Sequence, residues 1–159
     1  MSEIPESIRV YIDESGTTQY LYREYGYAPR GIKVHGKVQG KKFERLNIVA
    51  AKCGGEILAR CEYTCNMNSA LFELWFVEVL LVELPVGSVI IMDNASWHRK
   101  KLLRKLAEAA GCRVIFLPPY SPDFNPIEKV WAALKNFIRN YMRNFASLSF
   151  AVTAFFEFA

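Results

Sequence analysis

Four large apolar residues in succession, Val89-Ile90-Ile91-Met92, run directly into Asp93. A buried strand over 88–93 is the natural reading, and because it does not alternate polar with apolar residues, both of its faces must be covered. A mixed sheet with helices packed on both faces follows, with polar groups delivered at strand ends. At 159 residues and 52% hydrophobic content, the chain has the length and apolar material for one such unit.

The remaining pattern is strand-rich first and helix-rich later. Residues 7–13 read as a strand, with Asp13-Glu14-Ser15-Gly16 as its exit. Thr18 to Tyr27 is rich in Tyr and reads as a hairpin arm, followed by a turn at Ala28-Pro29-Arg30-Gly31 and a basic, glycine-punctuated stretch to Lys42. Strands are expected at 44–51 and 56–63, joined through Cys53-Gly54-Gly55. Leu71, Phe72, Trp75, Val79 and Leu80 give residues 68–84 a helical period, which Pro85 stops. A helix over 98–110 ends at Gly111, a favoured residue just past a helix end. Strand 113–117, a proline-rich loop, a helix at 126–143 and a final apolar helix from about 147 complete the order β-β-β-α-β-α-β-α-α. The ribonuclease H-like fold, with a five-stranded mixed sheet, is the best-known α/β arrangement of this kind.

Composition narrows the setting. No apolar run approaches the roughly 18 residues of a membrane span. The amino terminus, with Glu3, Pro5 and Glu6, lacks a signal-peptide pattern, which points to the cytoplasm. Cys53, Cys61, Cys65 and Cys112 lack the spacing of a zinc site and read as buried, reduced thiols. Charge is uneven: from Arg99 to Arg143 ten Lys or Arg face three acids, a balance of +7 within a net +4. That segment has the character of a polyanion-binding face, although a solvated helix surface would look similar.

Three carboxylates stand out: Asp13 and Asp93 close apolar strands, and Glu128 follows the loop that opens the 126–143 helix. Together they could hold two magnesium ions for phosphodiester chemistry. Each has a structural alternative. Asp13 reads equally as a turn residue, and Asp93 as a cap for the next helix. Asn125, Pro126 and Glu128 have the spacing of a capping box, with Asn125 as N-cap and Glu128 at the third helical position. On the helical wheel Ile127, Val130, Trp131, Leu134, Ile138 and Tyr141 share an apolar face. Glu128, Ala132, Lys135 and Arg139 line a separate ridge, which suits a metal site bordered by a phosphate track.

Asp13-Glu14-Ser15-Gly16, Asp93-Asn94-Ala95-Ser96-Trp97-His98 and the long motif from Leu117 to Trp131, Leu-Pro-Pro-Tyr-Ser-Pro-Asp-Phe-Asn-Pro-Ile-Glu-Lys-Val-Trp, resemble DDE transposases. The resemblance is to the bacterial insertion-sequence branch related to Tc/mariner elements and covers about residues 9–143. Tyr27-Ala28-Pro29-Arg30-Gly31 resembles that group's Trp-Ala-Pro-Lys-Gly turn, with Tyr in place of Trp. The resemblance implies an RNase H-like domain whose catalytic and metal-binding triad is Asp13, Asp93 and Glu128. It implies two Mg2+ ions about 3.5–4 Å apart, with Mn2+ able to substitute, one activating the nucleophile and one stabilising the leaving oxygen. The reaction would be DNA strand cleavage leaving a 3′ hydroxyl, then attack of that hydroxyl on target DNA.

Lys135 and Arg139 are the expected nucleic-acid contacts, with Asn94, His98 and Asn125 in support. His98 either orients a carboxylate or substrate, or merely fixes the helix after it. Glu14 reads as an exposed turn acid or an outer group of the metal site, and His35 as facing solvent or DNA. Related enzymes carry helix-turn-helix modules ahead of the catalytic domain. With twelve residues before Asp13, residues 1–159 are expected to form the single catalytic domain, with the recognition module absent and an upstream reading-frame product as a partner. Element ends and target DNA, a homodimer in the active assembly and a bacterial, nucleoid-associated location complete the expectation. Two other readings stay open: a different RNase H-like nuclease, and a non-catalytic transposase remnant that binds DNA.

Overall fold

The computed structural model describes residues 3–19, 44–119 and 121–158. Five strands form one sheet in the order β3-β2-β1-β4-β5: β1 (Arg9–Thr18), β2 (Arg45–Cys53), β3 (Glu56–Tyr63), β4 (Val89–Met92) and β5 (Arg113–Phe116). β1 pairs antiparallel with β2, and β2 with β3, while β4 joins β1 and β5 in parallel. The element order follows the sequence pattern, and the fold is the RNase H-like α/β arrangement. The expected arm over 20–27, the turn at 28–31, His35 and the stretch to Lys42 lie outside the described residues.

All four residues of β4 are buried, as the apolar run requires. Ile90 and Met92 enter one core, with Val10, Ile12, Val49 and Ala51 of the neighbouring strands. That face is covered by α1 (Ser69–Trp75), a π-helical turn Phe76–Leu80, α2 (Leu81–Glu83) and α3 (Lys100–Ala109). Asn68 caps α1 by accepting the Leu71 N–H at 2.9 Å. Phe76 is fully buried between Phe72 and Leu80, where a spacing of four residues along the helix puts it on the same face. α3 ends where Gly111 takes φ +75, and a Cβ there would meet Val86 Cγ1 at 2.8 Å.

The opposite face carries α4 (Ile127–Tyr141) and α5 (Leu148–Phe158), packed on Leu46, Ile48 and Ala50 of β2. Ile127, Trp131, Leu134 and Ile138 are the buried side of α4, whereas Tyr141 is 50% exposed and does not join the expected apolar face. The β4–β5 half of this face is closed by Ile4 and Ile8 against Val89, Ile91 and Leu117.

β1 differs most from expectation. It does not end at Asp13; Asp13-Glu14-Ser15-Gly16 lies inside the strand, paired with Val49, Ala50 and their neighbours out to Thr18↔Arg45. The ladder with β2 overrides the turn preference of those residues. Gly16 leaves space that the Arg45 guanidinium fills, since a Cβ would stand 2.9 Å from Arg45 Nη2. The cysteines are free thiols, but only Cys112 is buried; Cys65 is exposed, and Cys53 and Cys61 are intermediate. No helix among the described residues is long and apolar enough to cross a membrane.

Candidate active site

β1 and β4 are hydrogen-bonded in parallel register only as far as Tyr11↔Ile91. Counting on along that register brings Asp13 level with Asp93, on strands about 4.8 Å apart. Ala50, the partner of Asp13, belongs to the core under α4, so alternation puts the Asp13 side chain on the face that carries that helix, while Asp93 follows the last residue of β4.

α4 is tied to β1 at two points. Asn125 is buried: its Nδ2 donates to the Ile12 carbonyl at 3.2 Å, while its Oδ1 accepts the Ile127 N–H at 3.4 Å. One side chain therefore joins the residue before Asp13 to the helix start that carries Glu128. One turn further on, the buried Trp131 donates its indole N–H to Asp13 Oδ2 at 3.2 Å. The apolar wheel did not anticipate that contact; the available signal was that a buried indole N–H needs an acceptor.

The expected capping box does not form. α4 begins at Ile127 with Pro126 at the cap position, so Glu128 is its second residue. Asn125 turns its side chain to β1 as well as to the helix. The Glu128 carboxylate is left exposed and makes no hydrogen bond among the described residues. Ala132 and Arg139 are exposed along the same ridge and Lys135 is partly so.

Asp93 accepts from its own loop and from His98, whose Nε2 lies 3.0 Å from Asp93 Oδ1. His98 is buried against Trp97 and Phe72, at ring-centroid distances of 3.9 and 4.6 Å. The loop is fastened to α1 by Ser69 Oγ donating to the Trp97 carbonyl at 2.6 Å and by the Arg99–Glu73 ion pair. This contact fits the carboxylate-orienting reading of His98, and with the Lys100 N–H donating to the His98 carbonyl it equally fits a residue that fixes the start of α3. Asn94 sits beside Asp93, half-buried. Glu14 is not an exposed turn acid: inside β1, it is partly buried and accepts from Tyr63 Oη at 3.1 Å.

The electrostatics separate these acids. Burial, and then the charges of Glu128 and Asp93, push Asp13 up to about 7, against the pull of hydrogen bonds from the Glu14 backbone and Trp131. The His98 hydrogen bond holds Asp93 below the usual carboxylate range, and burial raises Glu14. Asp13 therefore feels both other acids. The described residues form no group of three His, Cys, Asp or Glu close enough to hold a metal ion, so the acids are electrostatic neighbours without being drawn together. The all-oxygen donor set is of the kind that suits Mg2+ or Mn2+.

A family model described as DDE superfamily endonuclease matches residues 9–149, nearly the whole chain. The chain belongs to that family. Among solved structures, this DDE endonuclease domain is similar to Mos1 mariner transposase in its paired-end complex with Mn, with a TM-score of 0.75 and 16% identity, covering 98% of this chain and 49% of that one. The catalytic core of BIV integrase aligns with a TM-score of 0.55 and 13% identity over 94% of this chain and 81% of that one. At these identities the likeness establishes the RNase H-like fold. A curated relative, the uncharacterized protein y4pE/y4sA of Sinorhizobium fredii, is 37% identical over 57 residues, which is 36% of this chain and 38% of that protein. The chain thus spans about half the length of the Mos1 transposase chain and covers a smaller share of the curated relative.

Proposed function

We propose that the DDE endonuclease domain is the catalytic domain of a transposase, performing divalent-metal-dependent DNA strand cleavage and strand transfer through Asp13, Asp93 and Glu128. The observation that carries this reading is the position of Asp13: half-buried on the α4 face, raised by that burial and then by the charges of both other acids, and bound by Trp131. Three oxygen-bearing acids suit a pair of Mg2+ or Mn2+ ions, which when bound would supply Lewis-acid activation of the nucleophile and neutralisation of the leaving oxygen.

In cleavage, a water oxygen bonds to phosphorus as the P–O3′ bond breaks, giving a 5′ phosphate and a 3′ hydroxyl that takes up a proton. In transfer, that hydroxyl oxygen bonds to a target phosphorus, its proton is released, and the target's own P–O3′ bond breaks. The protein's part is positional: Trp131 holds Asp13, His98 holds Asp93, and Asn125 sets the α4 start beside β1. Lys135 and Arg139, on the ridge that begins with Glu128, would carry the DNA backbone. DNA ends and target, a homodimer, a helix-turn-helix product from an upstream frame and a nucleoid-associated, cytoplasmic setting complete the proposal.

The test is cleavage of duplexes carrying the inverted repeats that flank the reading frame, with Mg2+ or Mn2+, with and without the upstream product. Asp93→Asn and Glu128→Gln should bring cleavage to background while leaving melting behaviour and duplex affinity close to those of the parent chain. The spacing of the acids also suits a non-catalytic DNA-binding remnant. Metal-independent binding with no cleavage under any of these conditions would establish that reading instead.

A further inference from the structure

A cavity of about 750 Å3 opens on the other side of α4, between the β2–β3 hairpin and α5. Lys52, Arg60 and Lys129 bring three positive charges to its wall, with Glu157 the one acid. Ile57 and Phe155 supply apolar lining, and the Arg60 guanidinium lies 4.8 Å from the centroid of the Phe156 ring. One guanidinium nitrogen, Arg60 Nη1, is buried without a hydrogen-bond partner among the described residues. A buried unpaired donor of this kind is costly unless a ligand acceptor completes it.

The backbone presents Arg60 by a strained device. The β2–β3 register shifts between Val49 and Ala51, and Ala59 takes φ +52, which an alanine adopts only under constraint. Glu83 accepts the Ala59 N–H at 2.7 Å and Trp75 donates to the Ala59 carbonyl at 2.8 Å, so the bulge is held from the opposite face. Ala59 packs into the α1 side of the core, and Arg60 is directed to the α5 side beside Phe156. Bulges that re-aim a side chain are frequent next to functional sites.

We propose that this cavity binds a single unpaired nucleotide of a DNA strand, its base on the Phe156–Arg60 platform and its phosphate on Lys52 and Lys129. The excess of cations selects an anion. A flat ring under a guanidinium selects a group with a π face, and an unstacked nucleotide provides both. A duplex cannot, because its bases present no free face. Lys129 is the helix neighbour of Glu128 but is turned to the cavity side of α4, so the two sites lie on different faces of one helix. The choice of a DNA ligand rests on the transposase reading, but the site is tested by binding in EDTA, where failure of cleavage has no bearing.

Fluorescence anisotropy of the full chain with labelled oligothymidine, and with a duplex of matched length, reads the proposal. Arg60→Leu and Phe156→Leu should each weaken single-strand binding by about tenfold, with duplex binding changed much less. Lys135→Ala, on the far ridge, should do the reverse. Because Phe156 lies in α5 and packs on the core beneath it, a 5-iodouracil single strand photocrosslinked to the unaltered chain supplies a readout free of folding effects, and the label should map to residues 52–60 or 155–157. Equal losses for single strand and duplex would reduce the cavity to general phosphate attraction and overturn the proposal. So would crosslinks mapping elsewhere, or an acidic peptide protecting Arg60 where oligothymidine does not.

Discussion

Trp131 and His98 each give a carboxylate a buried ring nitrogen as partner, and neither role is a matter of charge on the open rim. Trp131→Phe keeps most of the ring and removes only the donor to Asp13. Mg2+ affinity, read by titration, should fall 10–100-fold, the usual cost of losing a partner that orients a metal-binding group. Chemical denaturation should show a loss of about 1–3 kcal/mol, the cost of a buried acceptor left short of a donor. His98→Ala should lower cleavage by a similar 10–100-fold, and His98→Gln should recover part of it because an amide can still reach Asp93. A Trp131→Phe protein with unaltered Mg2+ affinity would mean that Asp13 needs no such support. The nearness of Asp13 to Asp93 and Glu128 agrees with their singling out from the motifs, although Asp13 lies inside β1 and not at its end. Their partners were harder to see: Trp131 stands 118 residues from Asp13 and Tyr63 stands 49 from Glu14, distances over which local periodicity carries no information.

Among the elements, those specified by their own residues were legible nearly to their ends. β4 declared itself by unbroken apolarity, α3 by its terminal glycine and α4 by its amphipathic period. β1 was read too short because Asp-Glu-Ser-Gly has turn chemistry, and only the partner strand β2 makes it extended. The bulge at Ala59 was equally silent, since its hydrogen bonds come from Trp75 and Glu83. α4 joins two readings on one helix: a buried side that grips β1 and β2, and a ridge from Glu128 through Lys135 to Arg139. Lys135→Ala and Arg139→Ala should weaken duplex binding alike for repeat and scrambled sequences, and each should flatten the salt dependence by about one unit of slope. Titrations at several salt concentrations check this, and a sequence-selective loss would reassign those residues to base recognition.

For the whole molecule, the raised Asp13 makes stability depend on pH in a defined direction. Its folded value of about 7 lies above the unfolded value of about 3.9, so the folded chain holds this proton more tightly. The contribution is complete below about pH 4 and is lost as pH climbs through about 7. Asp93, lowered by His98, contributes in the opposite sense, with stability present above the unfolded value and lost in more acid solution. Between about pH 5 and 8 the Asp13 effect should therefore dominate these two, and thermal melts without metal should fall across that window. Mg2+ should raise Tm more at the upper end of the window than at the lower, since protons and cations compete for the same oxygens. Asp13→Asn should remove both dependences; a Mg2+ response that survives it would place the cation elsewhere.

The Asn125 link to Ile12 spans 113 residues, and it has a consequence for synthesis. At roughly 5–20 residues per second, a ribosome needs on the order of ten seconds after making Ile12 before Asn125 exists to meet it. During that interval the nascent chain can assemble strands and the α1 side of the core, but Asp13 lacks both its tryptophan and its glutamate neighbour. On the transposase reading, a fragment released before α4 is made lacks Glu128 and the Trp131 donor to Asp13, and it should show only background cleavage in the duplex assay.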